Sequence, residues 1–252
     1  MSFLRKHRVS LFLTLALLVS MAGHIYLGKK ALFYYTSLNA LRLDPFEQDF
    51  YEWVDVPSSE KIRVVMVGDS RALTWPSVVH PSIEQYNRGI HGQTSIQIRN
   101  RFQRHVAPLH PDIIVFQLGI NDFKTIGLFP NKKEQILADC IQNLDALIEE
   151  SLSLNAKVIL TTTIPAGPIS LVRKAIWSEE TQEAVMQFNH YLHRINRTDV
   201  FVLDSMGILQ DSHGTIPSDL YIDELHLHRA AYTKLNQKLH DMIIEIIPTT
   251  ID

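Results

Sequence analysis

Four short, continuously apolar runs punctuate the chain: 62–67 (IRVVMV), 113–118 (IIVFQL), 157–162 (KVILTT) and Val200–Leu203 (VFVL). Continuous rather than alternating apolarity marks strands buried on both faces, as in a parallel sheet covered by helices. Between and after these runs the apolar spacing changes to three and four. Residues 95–106 place Ile96, Ile98, Phe102 and Val106 on a partial helical face. Residues 132–152 align Ile136, Leu137, Cys140, Ile141, Leu144, Leu147 and Ile148 along one stripe. Helical patterns over 179–195 and Arg229–Ile246 complete the set. Strand–helix alternation of this length predicts a single α/β domain over 61–252, with helices on both faces of a parallel sheet.

The first thirty residues follow a different rule. Arg5, Lys6 and Arg8 precede an apolar run that reaches Ala22 in 14 residues, the length of a signal-peptide core. Read on to Gly28 the run has 20 residues, enough to span a bilayer, before Lys29 and Lys30 close it. Ser20-Met21-Ala22 makes a poor cleavage site, so residues 1–30 read as a retained anchor in preference to a cleaved signal. In either case the basic flank stays cytoplasmic and the domain is expected on the far side of the membrane, which is the periplasm or cell envelope if the source is bacterial. Residues 31–60 read as a stalk rich in aromatic side chains: Phe33, Tyr34, Tyr35, Phe46, Phe50, Tyr51 and Trp53. A short helix over 31–43 should stop at Asp44-Pro45, and Pro57, Ser58 and Ser59 read as a loop. The aromatic residues suit either an interfacial stalk or packing back onto the domain.

Composition narrows the function. The 252 residues are 46% hydrophobic and 20% charged, which excludes a disordered chain. A net charge of −3 excludes a protein that coats nucleic acid, and no nucleic-acid partner is expected. Cys140, the single cysteine, can form no internal disulfide, and its place on an apolar stripe predicts a buried, inert thiol. His226 and His228 lack a third ligand at matching spacing, so no metal is expected, nor any organic cofactor. His190 and His193 read as solvated surface groups. Asn196-Arg197-Thr198 fits a glycosylation sequon.

In open parallel sheets, ligands bind outside the carboxyl ends of the strands. Gly68-Asp69-Ser70-Arg71 follows the first run, and Gly119-Ile120-Asn121-Asp122 follows the second. After the region of Tyr86 comes Asn87 to Ser95, which contains Gly89, His91 and Gly92. Asp223-Glu224-Leu225-His226 precedes the last helix. Each stretch alone is weak, but their order and placement together are specific. This set resembles the SGNH branch of the GDSL esterase and lipase superfamily over roughly 61–248. Gly68-Asp69-Ser70 matches its first block, Gly92 the second, Gly119-Ile120-Asn121-Asp122 the third and Asp223-Glu224-Leu225-His226 the last.

The resemblance implies a three-layer α/β/α sandwich with a flavodoxin-like parallel sheet, preceded here by the hydrophobic N-terminal helix. It implies Ser70 as nucleophile, His226 as base and Asp223 as the carboxylate that orients the imidazole. The Ser70 and Gly92 backbone N–H groups and the Asn121 side-chain amide would form the oxyanion hole. Asp69 and Asp122 are expected as structural acceptors around the nucleophile. Arg71 departs from the apolar residue that many relatives carry, and a cation at a helix start calls for an anionic partner. Asp69 or Asp122 is the expected partner, and an anionic substrate group is the alternative, so Arg71 and His91 are the candidate substrate-binding residues. Ala231, where relatives often have glycine, should matter only to helix packing. The implied activity is hydrolysis of carboxylic esters through an acyl-serine, on an acylated lipid, an acetylated glycan or a small ester. A membrane-anchored O-acyltransferase or O-acetylesterase acting on envelope glycans is the alternative. An inactive envelope scaffold is the alternative of another class.

Overall fold

The structure is a computed structural model that describes residues 2–54, 56 and 60–247. The expected loop at Pro57, Ser58 and Ser59 lies outside the described residues. The chain divides into two units, 1–47 and 48–252.

The first unit is one helix, α1, Ser2–Leu43. It runs unbroken through the residues read from the sequence as separate anchor and stalk, because no glycine or proline of breaking strength intervenes before Asp44-Pro45. Its stretch His7–Leu43 has 37 residues and is apolar enough to cross a membrane. At 1.5 Å per residue that is about 55 Å, well over the ~30 Å hydrocarbon core.

The second unit contains five parallel strands: β1 Ile62–Gly68, β2 Ile83–Gly89, β3 Ile113–Gln117, β4 Lys157–Thr161 and β5 Val200–Leu203. Their order across the sheet is β2-β1-β3-β4-β5, the flavodoxin-like arrangement. Among the described residues seven α-helices accompany them: α2 Ser70–Leu73, α3 Ser95–His105, α4 Ile120–Phe123, α5 Lys133–Ser153, α6 Glu180–His193, α7 Ser205–Leu209 and α8 Arg229–Ile246. Alternate residues of β1 feed two separate cores. Val65 and Val67 join Phe102, Phe116, Leu144 and Phe188 beneath α3, α5 and α6. Val64 and Met66 join Trp75, Leu235, Leu239 and Ile243 beneath α8. Burial on both sides is why the strand sequences show no alternation.

β2 (IEQYNRG) is the strand that no apolar run announces. It is an edge strand whose side chains, apart from those at its two ends, are only half-buried. The residues before β1 also join this unit. Tyr51 donates to the Gly89 carbonyl at 2.6 Å and lies under the Arg88 guanidinium at 4.6 Å. Arg104 Nε donates to the Gln48 carbonyl at 2.7 Å. Of the aromatic residues whose role the sequence left open, Tyr51 therefore packs back onto the domain, whereas Phe50 and Trp53 stay exposed.

Candidate active site

The strand order reverses between β1 and β3, which opens a crevice at their carboxyl ends. The four chemistry-bearing segments converge there. Gly68 pairs with Gly89 of β2 on one side and Gln117 of β3 on the other, so the residues after all three strands emerge at one level. A side chain at Gly68 would put Cβ 1.9 Å from the Gln117 carbonyl oxygen. Glycine is needed there for close approach, and the chain can then turn at once into α2.

Ser70 heads α2 and is 8% exposed. Its Oγ lies 3.0 Å from His226 Nε2, and His226 Nδ1 lies 2.8 Å from Asp223 Oδ2. Asp223 also builds the turn that presents the ring: its Oδ1 accepts the Leu225 and His226 amides, each at 2.8 Å. A bridge between Tyr221 and Leu227 closes the base of this loop. Burial raises the Asp223 carboxyl, but the hydrogen bonds from the His226 ring and the two amides outweigh it and bring the group down to about 2. Asp223 is thus an anion at neutral pH and fixes the tautomer with Nδ1 protonated, which leaves Nε2 free to accept the serine proton.

Two further segments hold the other candidate residues. Gly92 sits on an exposed turn with φ +74°, a conformation that favours glycine, and open space lies where a Cβ would project. Asn121 opens α4 and is buried; its Nδ2 donates to the Gln93 carbonyl at 3.1 Å, and its Oδ1 accepts from Lys124 Nζ at 2.5 Å. Those two bonds fix which way the amide points and leave one N–H of Nδ2 to donate elsewhere. Burial lowers the Lys124 ammonium, and the Asp69 carboxylate works in the opposite direction.

Buried polar groups brace this arrangement. Arg101 Nη2 donates to the Gly68 carbonyl at 3.1 Å and its Nε to Gln93 Oε1 at 2.5 Å, joining the first two segments. Asp122 accepts the Ser95 amide at 3.0 Å and the Ser95 hydroxyl at 2.6 Å, joining α4 to the start of α3. Burial pushes the Asp122 carboxyl up to about 6, with the Ser95 hydrogen bonds opposing the rise. Asp69 caps α2 by accepting the Arg71 amide at 2.8 Å, and burial raises its carboxyl as well.

Arg71 requires a correction. It is fully buried, so it does not line the cleft; Asp69 is its leading charge partner, as expected, but the guanidinium's own hydrogen bonds go elsewhere. It donates to the Leu225 carbonyl at 2.6 Å, to the Pro165 carbonyl at 3.3 Å and to the Ile164 carbonyl. The residue after Ser70 thereby grips the residue before His226, and a rigid planar donor suits that task better than a lysine does. Asp122, the other expected partner, is occupied by Ser95. His91 lies exposed on the turn beside Gly92. Cys140 is buried, and burial pushes its thiol well above the usual range. His228 lies exposed at the start of α8, and among the described residues no cluster of three metal-ligating side chains occurs. The sequence reading did not identify Lys124, Gln93 or Arg101. A lysine three residues after Asn121 was the one available signal.

A hydroxyl, an imidazole and a carboxylate in this chain of contacts can pass a proton from the hydroxyl as it attacks an electrophilic carbon. The negative charge that then develops on oxygen calls for hydrogen-bond donors, which the Gly92 and Asn121 segments carry. A cavity of about 710 Å³ flanks the His226 loop, lined by Pro165, Gly167, Met186, Met206, Thr215 and Tyr221 among others, with no charged side chain.

Comparison with known proteins agrees with the fold. A structure described as a "putative platelet activating factor" from Streptococcus pneumonia superposes with a TM-score of 0.65 at 21% identity, covering 84% of this chain and 99% of that one. A GDSL-like lipase from Bacteroides thetaiotaomicron gives 0.58 at 19% identity, covering 82% and 98%. A catalytic mutant of an acetylxylan esterase from Geobacillus stearothermophilus gives 0.52 at 20% identity, covering 75% and 96%. No curated protein matches the sequence. The model of the GDSL-like lipase/acylhydrolase family matches residues 64–234, the stretch that carries all four segments. The chain belongs to the GDSL-like lipase/acylhydrolase family and is an ester hydrolase.

Proposed function

We propose that this protein is a membrane-tethered serine hydrolase that cleaves carboxylic esters through an acyl-Ser70 intermediate. The observation that carries the reading is the continuous contact from Ser70 Oγ through the His226 ring to Asp223, at 3.0 and 2.8 Å. Ser70 attacks the ester carbonyl while His226 Nε2 takes its proton. Asp223 stabilises the imidazolium that results. The Ser70 and Gly92 backbone N–H groups and the remaining Asn121 Nδ2–H receive the oxyanion, with Lys124 holding the amide in place. The imidazolium then protonates the leaving alkoxide, and water, activated by the same ring, releases the acid. Asp223 keeps its charge throughout, consistent with its lowered carboxyl.

In this reading α1 serves as the anchor, and the basic residues at its start favour an extracytoplasmic hydrolase unit. The uncharged lining of the neighbouring cavity suits a neutral acyl or alcohol group. The test is hydrolysis of short- and long-chain p-nitrophenyl esters by the full chain in detergent, beside Ser70→Ala and His226→Ala. Each variant should lose at least about 10⁴-fold in kcat while keeping its circular dichroism spectrum. Retained turnover in folded Ser70→Ala would refute the assignment.

A further inference from the structure

Apolar and cationic side chains share an exposed rim around the cleft. The segment between β4 and α6 is irregular apart from one turn at Arg173–Ile176, and Leu171 and Val172 at its tip are 84% and 87% exposed. Ile176 from the same segment, Leu128 and Phe129 beyond α4, and Ile222 beside Asp223 are each more than half exposed. Contacts tie these residues to one rim. The Ile176 carbonyl oxygen comes so close to Gly127 that a Cβ there would lie 2.2 Å away. The Ser170 amide donates to Glu224 at 3.2 Å and Arg173 pairs with the same carboxylate at 3.5 Å, strapping the tip to the loop that carries His226. Six apolar side chains held open at the mouth of a site, rather than scattered singly, mark an interaction surface.

Charge selects the partner. Segments 124–133 and 168–178 contain Lys124, Lys132, Lys133, Arg173 and Lys174 and no carboxylate. Lys124 is engaged by Asn121, Lys133 by Glu183 and Arg173 by Glu224. Lys132, 5.7 Å from the centre of the Phe129 ring, and Lys174 remain as the positive charge of these two segments, while Asp219 and Asp223 lie on the third, beside Ile222. Apolar tips beside ammonium groups fit a bilayer surface with anionic headgroups: the tips enter the acyl boundary and the cations stay at the phosphates. We propose that this rim docks the hydrolase unit onto a membrane rich in anionic phospholipid, with the cleft facing the lipid. The folded unit begins at Gln48, five residues after α1 ends at Leu43. With α1 inserted, docking is therefore intramolecular, and a weak contact suffices.

The docking does not depend on the hydrolytic reading, and its test measures no turnover. Cys140 is the single cysteine and is buried, so a thiol introduced as Val172→Cys takes an environment-sensitive fluorophore alone. Ser153→Cys, exposed at the end of α5 and hence at the opposite end of the sheet, is the control. Each labelled full chain is reconstituted in vesicles of phosphatidylcholine, with or without phosphatidylglycerol. The expected result is blue-shifted emission at 172, quenched by nitroxide-bearing lipid, in the anionic vesicles and much less in neutral ones, with neither effect at 153. Lys132→Gln and Lys174→Gln should each lower the ratio of docked to undocked protein by about fivefold. Identical behaviour of positions 172 and 153 in anionic vesicles overturns the proposal, as does equal quenching at 172 in both lipids. A shift at 172 that grows with protein concentration in lipid-free detergent overturns it in favour of a second copy of the chain.

Discussion

Asp122 gives the sharpest quantitative test of the electrostatics around Ser70. Its carboxyl titrates at about 6 in the folded protein, against 3.8 for an ordinary aspartate, because it is buried beside Asp69. A rise of about two units is worth roughly 3 kcal/mol. Between pH 4 and 6 the folded state keeps a proton that the unfolded chain has released, so this group lowers stability as pH rises. The penalty is absent below the unfolded value and complete once the pH passes the folded one. Asp122→Asn cannot ionise and escapes it. Like the protonated carboxyl, the asparagine offers one carbonyl oxygen to the amide and hydroxyl of Ser95, and its NH2 in place of the OH costs at most about 1 kcal/mol. The variant should therefore match the parent to within about 1 kcal/mol at pH 4 and be more stable by about 2–3 kcal/mol at pH 7. Urea unfolding of the full chain in mild detergent, followed by the fluorescence of buried Trp75, measures the difference at each pH. A stability difference that is the same at pH 4 and pH 7 would refute the reasoning.

Three other substitutions separate the roles assigned to individual groups. Asn121→Ala removes one proposed oxyanion donor and should lower kcat about 10²–10³-fold with little change in KM; steady-state kinetics on a soluble ester would contradict the role by showing a change in KM alone. Lys124→Met removes a charge-assisted bond to Asn121 of about 1.5–3 kcal/mol, so kcat should fall roughly 10–100-fold, and Asn121→Ala should abolish any further effect of Lys124→Met. Arg71→Lys keeps the charge but not the planar fork on three carbonyls; displacement of the His226 loop should cost about 10²-fold in kcat, and rates independent of this change would show that the loop holds itself.

Much of this site is legible in the sequence because parallel sheets concentrate chemistry at strand ends. β1, β3 and β4 announce themselves as apolar runs because both of their faces are buried, and β5, at the other edge, does so although Phe201 and Val202 are only half-buried. β2 does not, because an edge position leaves Glu84, Gln85, Tyr86, Asn87 and Arg88 half-exposed, and its sequence looks like a loop. Ser70, Gly92, Asn121, Asp223 and His226 could be picked out because each belongs to a short local motif. Arg71 shows the limit of that reasoning. Charge logic looks for a carboxylate nearby in sequence, whereas the guanidinium meets backbone carbonyls 93, 94 and 154 residues along the chain. Lys124, Gln93 and Arg101 act through similarly fold-dependent contacts. The continuous helix to Leu43 was obscured for another reason: Lys29 and Lys30 end an apolar run without ending a helix.

The central claim is that Ser70, activated by His226, becomes acylated. Labelling with a fluorophosphonate, followed by peptide mapping, tests it most directly. The account predicts a single adduct on the peptide containing Ser70, absent in Ser70→Ala and formed far more slowly in His226→Ala. An adduct elsewhere, or equal labelling of the His226→Ala variant, would contradict it.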